Sequence, residues 1–254
     1  MRELTARIID NFSVARDIFL LRVKLPEDFT EEIKPGQFAH IKVPGDKLLR
    51  RPISINDYEA SARILSFIYQ VKGGGTAQLS GARESLSMLL PLGNGFPEPS
   101  GRVLLAGAGI GCAPLLYAAR LYKKECGAAL AFRSMDYAYE LTEFNSLVSE
   151  LYTASDDGSL GEKCYAHQLV EKALQTGKYS CVYACGPERA LELIRNVCVR
   201  YGAESYLSLE ARMGCGMGAC VVCNVKIGSP EKWHYLRCCK DGPVFAGKEV
   251  LFDD

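Results

Sequence analysis

The chain has 254 residues, 48% apolar and 24% charged, enough for two small domains and an appendage and too apolar for a disordered or collagen-like polymer. Lys and Arg together number 30, as do Asp and Glu, so the positive field that holds phosphate backbones is missing and nucleic acid is not an expected partner. The opening MRELTARIIDNF interrupts its apolar residues with charge, and the longest uncharged run, Val103 to Ala119, is broken by glycines and a proline; neither a signal peptide nor a membrane span is expected, and the expected location is cytoplasmic.

Taken in chain order, short strands are predicted over Thr5–Asp10, Ile18–Lys24, Gln37–Val43, Ile53–Tyr58 and Ile64–Val71, with breaks at Pro35-Gly36 and Gly73-Gly74-Gly75. A small antiparallel β-barrel over residues 1–99 is the natural reading. After Pro97, Pro99 and Gly101 the rhythm changes to alternating strand and helix. Strands are predicted at Val103–Ala106, Ala129–Arg133 and Cys181–Ala184, and helices at Ala113–Glu125, Ala166–Leu174 and Glu188–Tyr201. That alternation predicts a doubly wound parallel α/β domain over residues 100–207. From about Ser208 the pattern gives way to MGCGMGACVVC, so a third, metal-organised segment is expected over 208–254.

Four motifs interrupt these elements. Arg50-Arg51-Pro52-Ile53-Ser54 places an arginine three residues before a hydroxyl at the head of a strand, a pair able to hold a pyrophosphate and a flavin edge together. Ile68-Tyr69-Gln70 leads into Gly73-Gly74-Gly75-Thr76, whose free amides and hydroxyl suit phosphate. Gly107-Ala108-Gly109-Ile110-Gly111 joins a buried strand to a helix, the setting in which a dinucleotide pyrophosphate meets a helix N-terminus, although the spacing is G-x-G-x-G. Cys185-Gly186-Pro187 stands at the end of a later parallel strand, where open α/β sheets bind ligands. Singly, each is also an ordinary turn or a surface arginine pair. Their order within one chain favours nucleotide and flavin binding.

Eleven cysteines without an export signal point to a reducing compartment. Cys126, Cys164, Cys181 and Cys198 lie singly in apolar or helical surroundings and read as packing. Cys215, Cys220 and Cys223 follow the C-x4-C-x2-C spacing that wraps a loop over a [2Fe–2S] cluster. Zinc fits less well, since His234 is the only nearby histidine. The fourth ligand is Cys238 or Cys239.

These residues resemble the ferredoxin reductase superfamily, in which a barrel bearing R-x-[YI]-S binds FAD and an α/β domain with G-x-G-x-G and CGP binds nicotinamide. The tail, M-G-C-G-x-G-A-C-x-x-C and then C-x-D-G-P-V-F, is similar to that of the electron-transfer subunits of NAD-linked dihydroorotate dehydrogenase B. The resemblance implies Cys239 as the fourth ligand. It implies FAD contacts at Arg51, Pro52, Ile53, Ser54, Ile68, Tyr69, Gln70, Gly75 and Thr76. For NAD it implies Gly107, Gly109, Gly111, Cys185, Gly186 and Pro187, with Ser54 and Cys185 nearest the chemistry. It further implies a catalytic FMN subunit as partner in a two-plus-two heterotetramer of pyrimidine biosynthesis. Other readings are a reductase serving an oxygenase, hydrogenase or transhydrogenase, and a non-enzymatic iron–sulfur sensor. Only fifteen residues separate Cys223 from Cys239, too few for the complete plant-type ferredoxin domain of an oxygenase reductase. NAD and NADP stay open on the residues alone: Arg133-Ser134 would meet a 2′-phosphate, and Asp136 a free ribose.

Overall fold

The computed structural model describes residues 1–252. Its first seven strands are β1 (Arg2–Ala15), β2 (Ile18–Lys24), β3 (Phe38–Ile41), β4 (Arg51–Ser54), β5 (Asp57–Glu59), β6 (Ile64–Gln70) and β7 (Ser85–Leu92), with helix α1 (Gly74–Ser80) between the last two. They form one antiparallel sheet in the order β4-β3-β7-β1-β2-β6-β5. The edge strands β4 and β5 are consecutive in the chain and joined by Ile55 and Asn56 alone. In a flat sheet, six spacings of about 4.8 Å would part them by roughly 29 Å. Three peptide steps span only ~11 Å, so the sheet curls into an open barrel. Side chains alternate accordingly: Ala39 and Ile41 of β3 point into the barrel core, whereas Phe38 packs against the rest of the molecule.

A second sheet follows, built from β8 (Val103–Ala108), β9 (Cys126–Phe132), β10 (Leu151–Ser155), β11 (Glu162–Lys163), β12 (Cys181–Cys185) and β13 (Glu204–Ser208). These six run parallel in the order β11-β10-β9-β8-β12-β13. The central strands β8, β9 and β12 are buried along nearly their whole length because helices cover both faces. Helices α2 (Leu115–Tyr122) and α3 (Leu141–Leu147) pack on one face, α4 (Ala166–Gln175) and α5 (Glu188–Tyr201) on the other. In α4 the buried positions Ala166, Leu169, Val170, Ala173 and Leu174 recur at three- and four-residue steps, the stripe that docks a helix.

Three expectations change. The strand predicted over Ile53–Tyr58 divides into β4 and β5, because the chain crosses there from one barrel edge to the other. The helix predicted from Ala113 starts at Leu115, since Gly109–Cys112 forms a 3-10 turn and Pro114 caps the helix. The C-terminal segment is not a free appendage to a purely parallel sheet. After the hairpin β14 (Asn224–Ser229) and β15 (Lys232–Arg237), its strand β16 (Val244–Ala246) pairs antiparallel with β13 and covers the sheet edge.

Direct bonds tie the parts together. The Tyr117 hydroxyl of α2 donates to the Ile33 carbonyl of the barrel at 3.2 Å. Asn94, just after β7, donates from its side chain to the Val244 carbonyl at 2.8 Å and accepts from the Val244 amide at 3.2 Å. Asn56, almost fully buried, donates to the Ala113 carbonyl at 3.0 Å and to the Glu140 carboxyl at 2.9 Å. Burial pushes Glu140 up to about 8, with Glu143 and Asp57 adding to the shift while Asn56 and Arg120 oppose it.

The folded chain therefore keeps a proton that the unfolded chain releases above the ordinary value of 4.5, so Glu140's contribution to stability declines as pH rises from there to about 8. Glu140→Gln keeps an acceptor for Asn56 and removes the titration. Melting curves should show the variant gaining on the wild-type chain as pH goes from about 5 to about 9; a constant difference would mean that the carboxyl is not held neutral.

Candidate functional site

A cavity of about 250 Å³ lies where the barrel, the parallel sheet and the C-terminal segment meet. Pro52, Ile53 and Ser54 of β4 line it beside Ile68, Tyr69 and Gln70 at the end of β6. The barrel's curl brings these two strands together. The Tyr69 ring turns into the barrel core, where it stacks on Phe19 at 5.9 Å and donates its hydroxyl to Asn11 at 2.9 Å. Ile68 and Gln70 leave β6 on the opposite side.

Arg51 lies over the glycine turn, with its Nη1 held by the carbonyls of Leu49 and Arg50. A Cβ added at Gly75 would collide with its guanidinium. A cation fixed above a glycine turn is a cradle fitted to a pyrophosphate. The neighbouring Arg50 is engaged by Glu3 and Ser87 and anchors the barrel instead. Thr76 accepts from the amides of Lys72 at 3.0 Å and Gly73 at 3.3 Å, and donates to the Gly73 carbonyl at 3.1 Å, so its hydroxyl shapes the turn.

On the sheet side, β8 lies beside β12 with Gly107 opposite Cys185. The turn after β8 therefore meets the end of β12, and Gly111 and Cys185 both reach the cavity. A Cβ at Gly111 would strike the backbone of Cys185 and Gly186. Gly107 has a packing role: a Cβ there would stand 2.7 Å from the Cys112 sulfur. Gly109 borders open space, Gly186 is pressed against Ala108, and Pro187 caps α5 on the surface. Burial pushes the Cys185 thiol up to about 12, which keeps it neutral in the cavity wall. Arg133 and Ser134 line a separate hollow of about 390 Å³ with Tyr137, Asp156, Asp157 and Arg16. Both arginines lie 5.8 Å from the centre of the Tyr137 ring.

The third side of the cavity comes from Leu209, Met213 and Pro243, with Phe38 facing them from β3. Met213 opens the cysteine motif and Pro243 belongs to C-x-D-G-P-V-F, but neither is legible there as part of a cavity wall; Leu209 and Phe38 lie outside every motif, and the one signal for Phe38 was the alternation of β3, which sets it outside the barrel.

Two residues beyond Met213 the cysteine loop begins. The amides of Met217, Ala219 and Cys220 point at the Cys215 sulfur at 3.3–3.4 Å, and the Cys215 amide points at the Cys220 sulfur at 3.4 Å. Burial pushes the Cys215 thiol up, but these amides, Met217 first, outweigh it and bring it down to about 6. Cys223 is met by the Cys239 amide at 3.4 Å. Arg237 braces the loop, bonding Asp241 at 2.8 Å and the Gly218 carbonyl at 3.2 Å. Cys238 points elsewhere: it is fully buried, and its thiol donates to the Leu209 carbonyl at 3.2 Å.

Among the described residues no three His, Cys, Asp or Glu side chains are grouped as a single metal ion requires. The sulfurs associate as Cys215 with Cys220 and Cys223 with Cys239. Two thiol pairs under inward-directed amides form a donor set suited to a two-iron cluster.

The architecture recurs in known proteins. The NADH-dependent reduced ferredoxin-NADP oxidoreductase, described for flavin-based electron bifurcation, superposes with a TM-score of 0.84 at 29% identity, covering 96% of this chain and 89% of that chain. Phthalate dioxygenase reductase superposes at 0.68 and 17% identity, over 94% and 77% of the two chains. Barrel, sheet and cysteine tail thus define an oxidoreductase of the ferredoxin reductase type with an iron–sulfur segment.

Residues 210–251 match the iron-sulfur cluster binding domain of dihydroorotate dehydrogenase B. The electron transfer subunit of dihydroorotate dehydrogenase B (NAD(+)) from Caldanaerobacter subterraneus subsp. tengcongensis is 35% identical over 254 residues, 98% of this chain and 99% of that one. Its counterpart from Enterococcus faecalis is 39% identical over 244 residues, 91% and 90%. The chain belongs to this family of electron transfer subunits.

Proposed function

We propose that this chain carries electrons from a dihydroorotate-oxidising catalytic subunit to NAD+, in the making of pyrimidines. The observation that carries the reading is the single cavity walled by the RPIS strand, the GAGIG turn and the segment bearing the cysteines. When bound there, FAD exchanges a hydride with nicotinamide and single electrons with a [2Fe–2S] centre, which joins two-electron to one-electron chemistry.

Cys215, Cys220, Cys223 and Cys239 would hold the cluster. Arg51 and the turn at Gly75 and Thr76 would hold the FAD pyrophosphate, and Pro52, Ile53, Ile68, Tyr69 and Gln70 would enclose the flavin, with the Ser54 hydroxyl bonding near its N5. Gly109, Gly111, Gly186 and Pro187 would border the NAD path, Cys185 would flank the nicotinamide, and Gly107 would support the turn from behind. The hollow at Arg133 balances two arginines, Arg16 and Arg133, with two aspartates, Asp156 and Asp157, so NAD rather than NADP rests on the likeness to the NAD(+)-linked relatives.

Dihydroorotate oxidation belongs to the partner, an FMN-bearing catalytic subunit, in a complex of two chains of each kind. Met217, Val221, Val222, Trp233 and Tyr235 are exposed around the cysteine loop and its hairpin, an apolar surface suited to that partner. No helix among the described residues is long and apolar enough to cross a membrane; the proposed location is the cytoplasm.

An anaerobic visible and EPR titration with NADH, then NADPH, with and without a co-expressed catalytic subunit, tests the proposal. NADH should bleach a flavin and raise a reduced [2Fe–2S] signal, and dihydroorotate should do so only with the partner present. The likeness to the NADH-dependent ferredoxin-NADP oxidoreductase favours a second reading, service to another redox partner. Reduction by NADH but never by dihydroorotate would select it. Absence of both cofactors after reconstitution would refute both readings.

A further inference from the structure

His40 stands on β3 between the flavin strand and the cysteine loop. It pairs across the sheet with Pro52 of β4 on one side and Leu89 of β7 on the other. By the two-residue period of the strand it shares the outward side with Phe38, which lines the cavity, while Ala39 and Ile41 fill the barrel. The residue is 1% exposed, yet neither ring nitrogen has a hydrogen-bond partner. The backbones of Cys215 and Arg50 lie close by and act on the ring, but neither completes a hydrogen bond with it.

The nitrogen on the loop side is Nδ1. Gly216, at φ +72°, lies directly against it, and a Cβ there would stand 2.5 Å away. Only glycine combines that backbone conformation with that approach. A leucine on β3 would fill the same space without burying two unsatisfied polar atoms, which is costly in a core. The orphaned imidazole is thus held against the residue that follows Cys215.

We propose that His40 is a positioning residue for the iron–sulfur centre: its Nδ1–H donates a hydrogen bond to the cluster-bearing loop at Cys215 in the loaded protein and raises the reduction potential of the centre. Hydrogen bonds to the sulfurs and ligands of such clusters favour the reduced, more negative state. Because the residue paired with His40 belongs to the RPIS strand, the same side chain fixes the cluster loop relative to the flavin strand.

This inference rests on the cluster assignment above, and the test separates the two. Dye-mediated EPR titration of the cluster potential would be run on the full chain and on His40→Leu, His40→Asn and His40→Gln, with iron and FAD content measured on each. His40→Leu should make reduction of the cluster about tenfold less favourable, equivalent to about 59 mV for one electron, with FAD content unchanged. Asparagine, whose amide nitrogen falls near the position of Nδ1, should restore most of the shift; glutamine, which reaches toward Nε2, should not. Equal potentials in the wild-type and leucine proteins would overturn the proposal. If the leucine protein fails to load, asparagine and glutamine proteins of equal potential would overturn it too. A wild-type chain that takes up no cluster would instead refute the cluster assignment, and the proposal with it.

Discussion

Serine in place of Cys239 is expected to remove the [2Fe–2S] centre, while serine in place of Cys238 leaves it. The two residues are neighbours, and the backbone sends their side chains to different sides. Cys238 is fully buried and donates its thiol hydrogen to the Leu209 carbonyl. A thiol turned into the core and bonded to a backbone carbonyl is not presented to the cluster loop. A serine hydroxyl there can make the same bond, at a cost near the ~1 kcal/mol of an ordinary buried hydrogen bond.

Cys239 meets Cys223 instead, and its loop is braced by the Arg237–Asp241 pair. Burial, reinforced by the Cys223 sulfur, pushes the Cys239 thiol up to about 12. Placing two thiolates side by side is unfavourable until positive iron sits between them. Loss of Cys239 should lower cluster retention by at least about tenfold, the lower range seen even for changes outside the ligands themselves. Iron and acid-labile sulfide per chain, with the visible spectrum, provide the measurement. A Cys238→Ser protein that emerges without its cluster would reverse the assignment.

The second large effect is expected at Gly111. A Cβ there runs into the backbone of Cys185 and Gly186, which cannot rotate away as a side chain can. The turn after β8 would have to move away from the end of β12, opening the wall where nicotinamide is proposed to lie against the flavin. Displacement of a reacting group by about 1 Å costs on the order of 10²-fold in rate. Anaerobic stopped-flow should show Gly111→Ala reducing its flavin with NADH more slowly by about that factor. FAD and iron contents should be unchanged, since Arg51, the Gly75 turn and the cysteines lie elsewhere. Gly177→Ala, after α4 and away from the cavity, is the control. Gly177 faces open space at φ +68°, so alanine meets only backbone strain of about 1 kcal/mol. If the two variants reduce flavin equally fast, Gly111 does not set the nicotinamide seat.

Much of this site was legible before the fold was known. Cys215, Cys220 and Cys223 are local in sequence, and the C-x4-C-x2-C spacing carries its own geometry. Glu188–Tyr201 was readable as a helix because its buried Leu191, Ile194, Val197 and Cys198 follow the helical period. Strands β7, β10, β13 and β16 were not: β7 (Ser85–Leu92) alternates buried and half-buried residues but contains Pro91, and β10, β13 and β16 are only three to five residues long and lack the glycine motifs that mark the ends of β8 and β12. Segments of that length acquire strand character from their neighbours.

By itself, then, the sequence determined the order of barrel, parallel sheet and cysteine segment, together with the chemistry those motifs carry, because each motif depends on residues within about ten positions of one another. Tertiary structure decided which members of each motif face the site. It turned the Tyr69 ring into the barrel, spent Arg50 and the Thr76 hydroxyl on local bonds, pressed Gly107 against Cys112, and sent Cys238 into the core. It also joined the last strand to the sheet edge and set His40 against the loop of Cys215. The reason is physical: burial and hydrogen-bond partnership belong to a residue's neighbours in space, and Asn94 with Val244, or His40 with Gly216, become neighbours only after the chain has closed on itself.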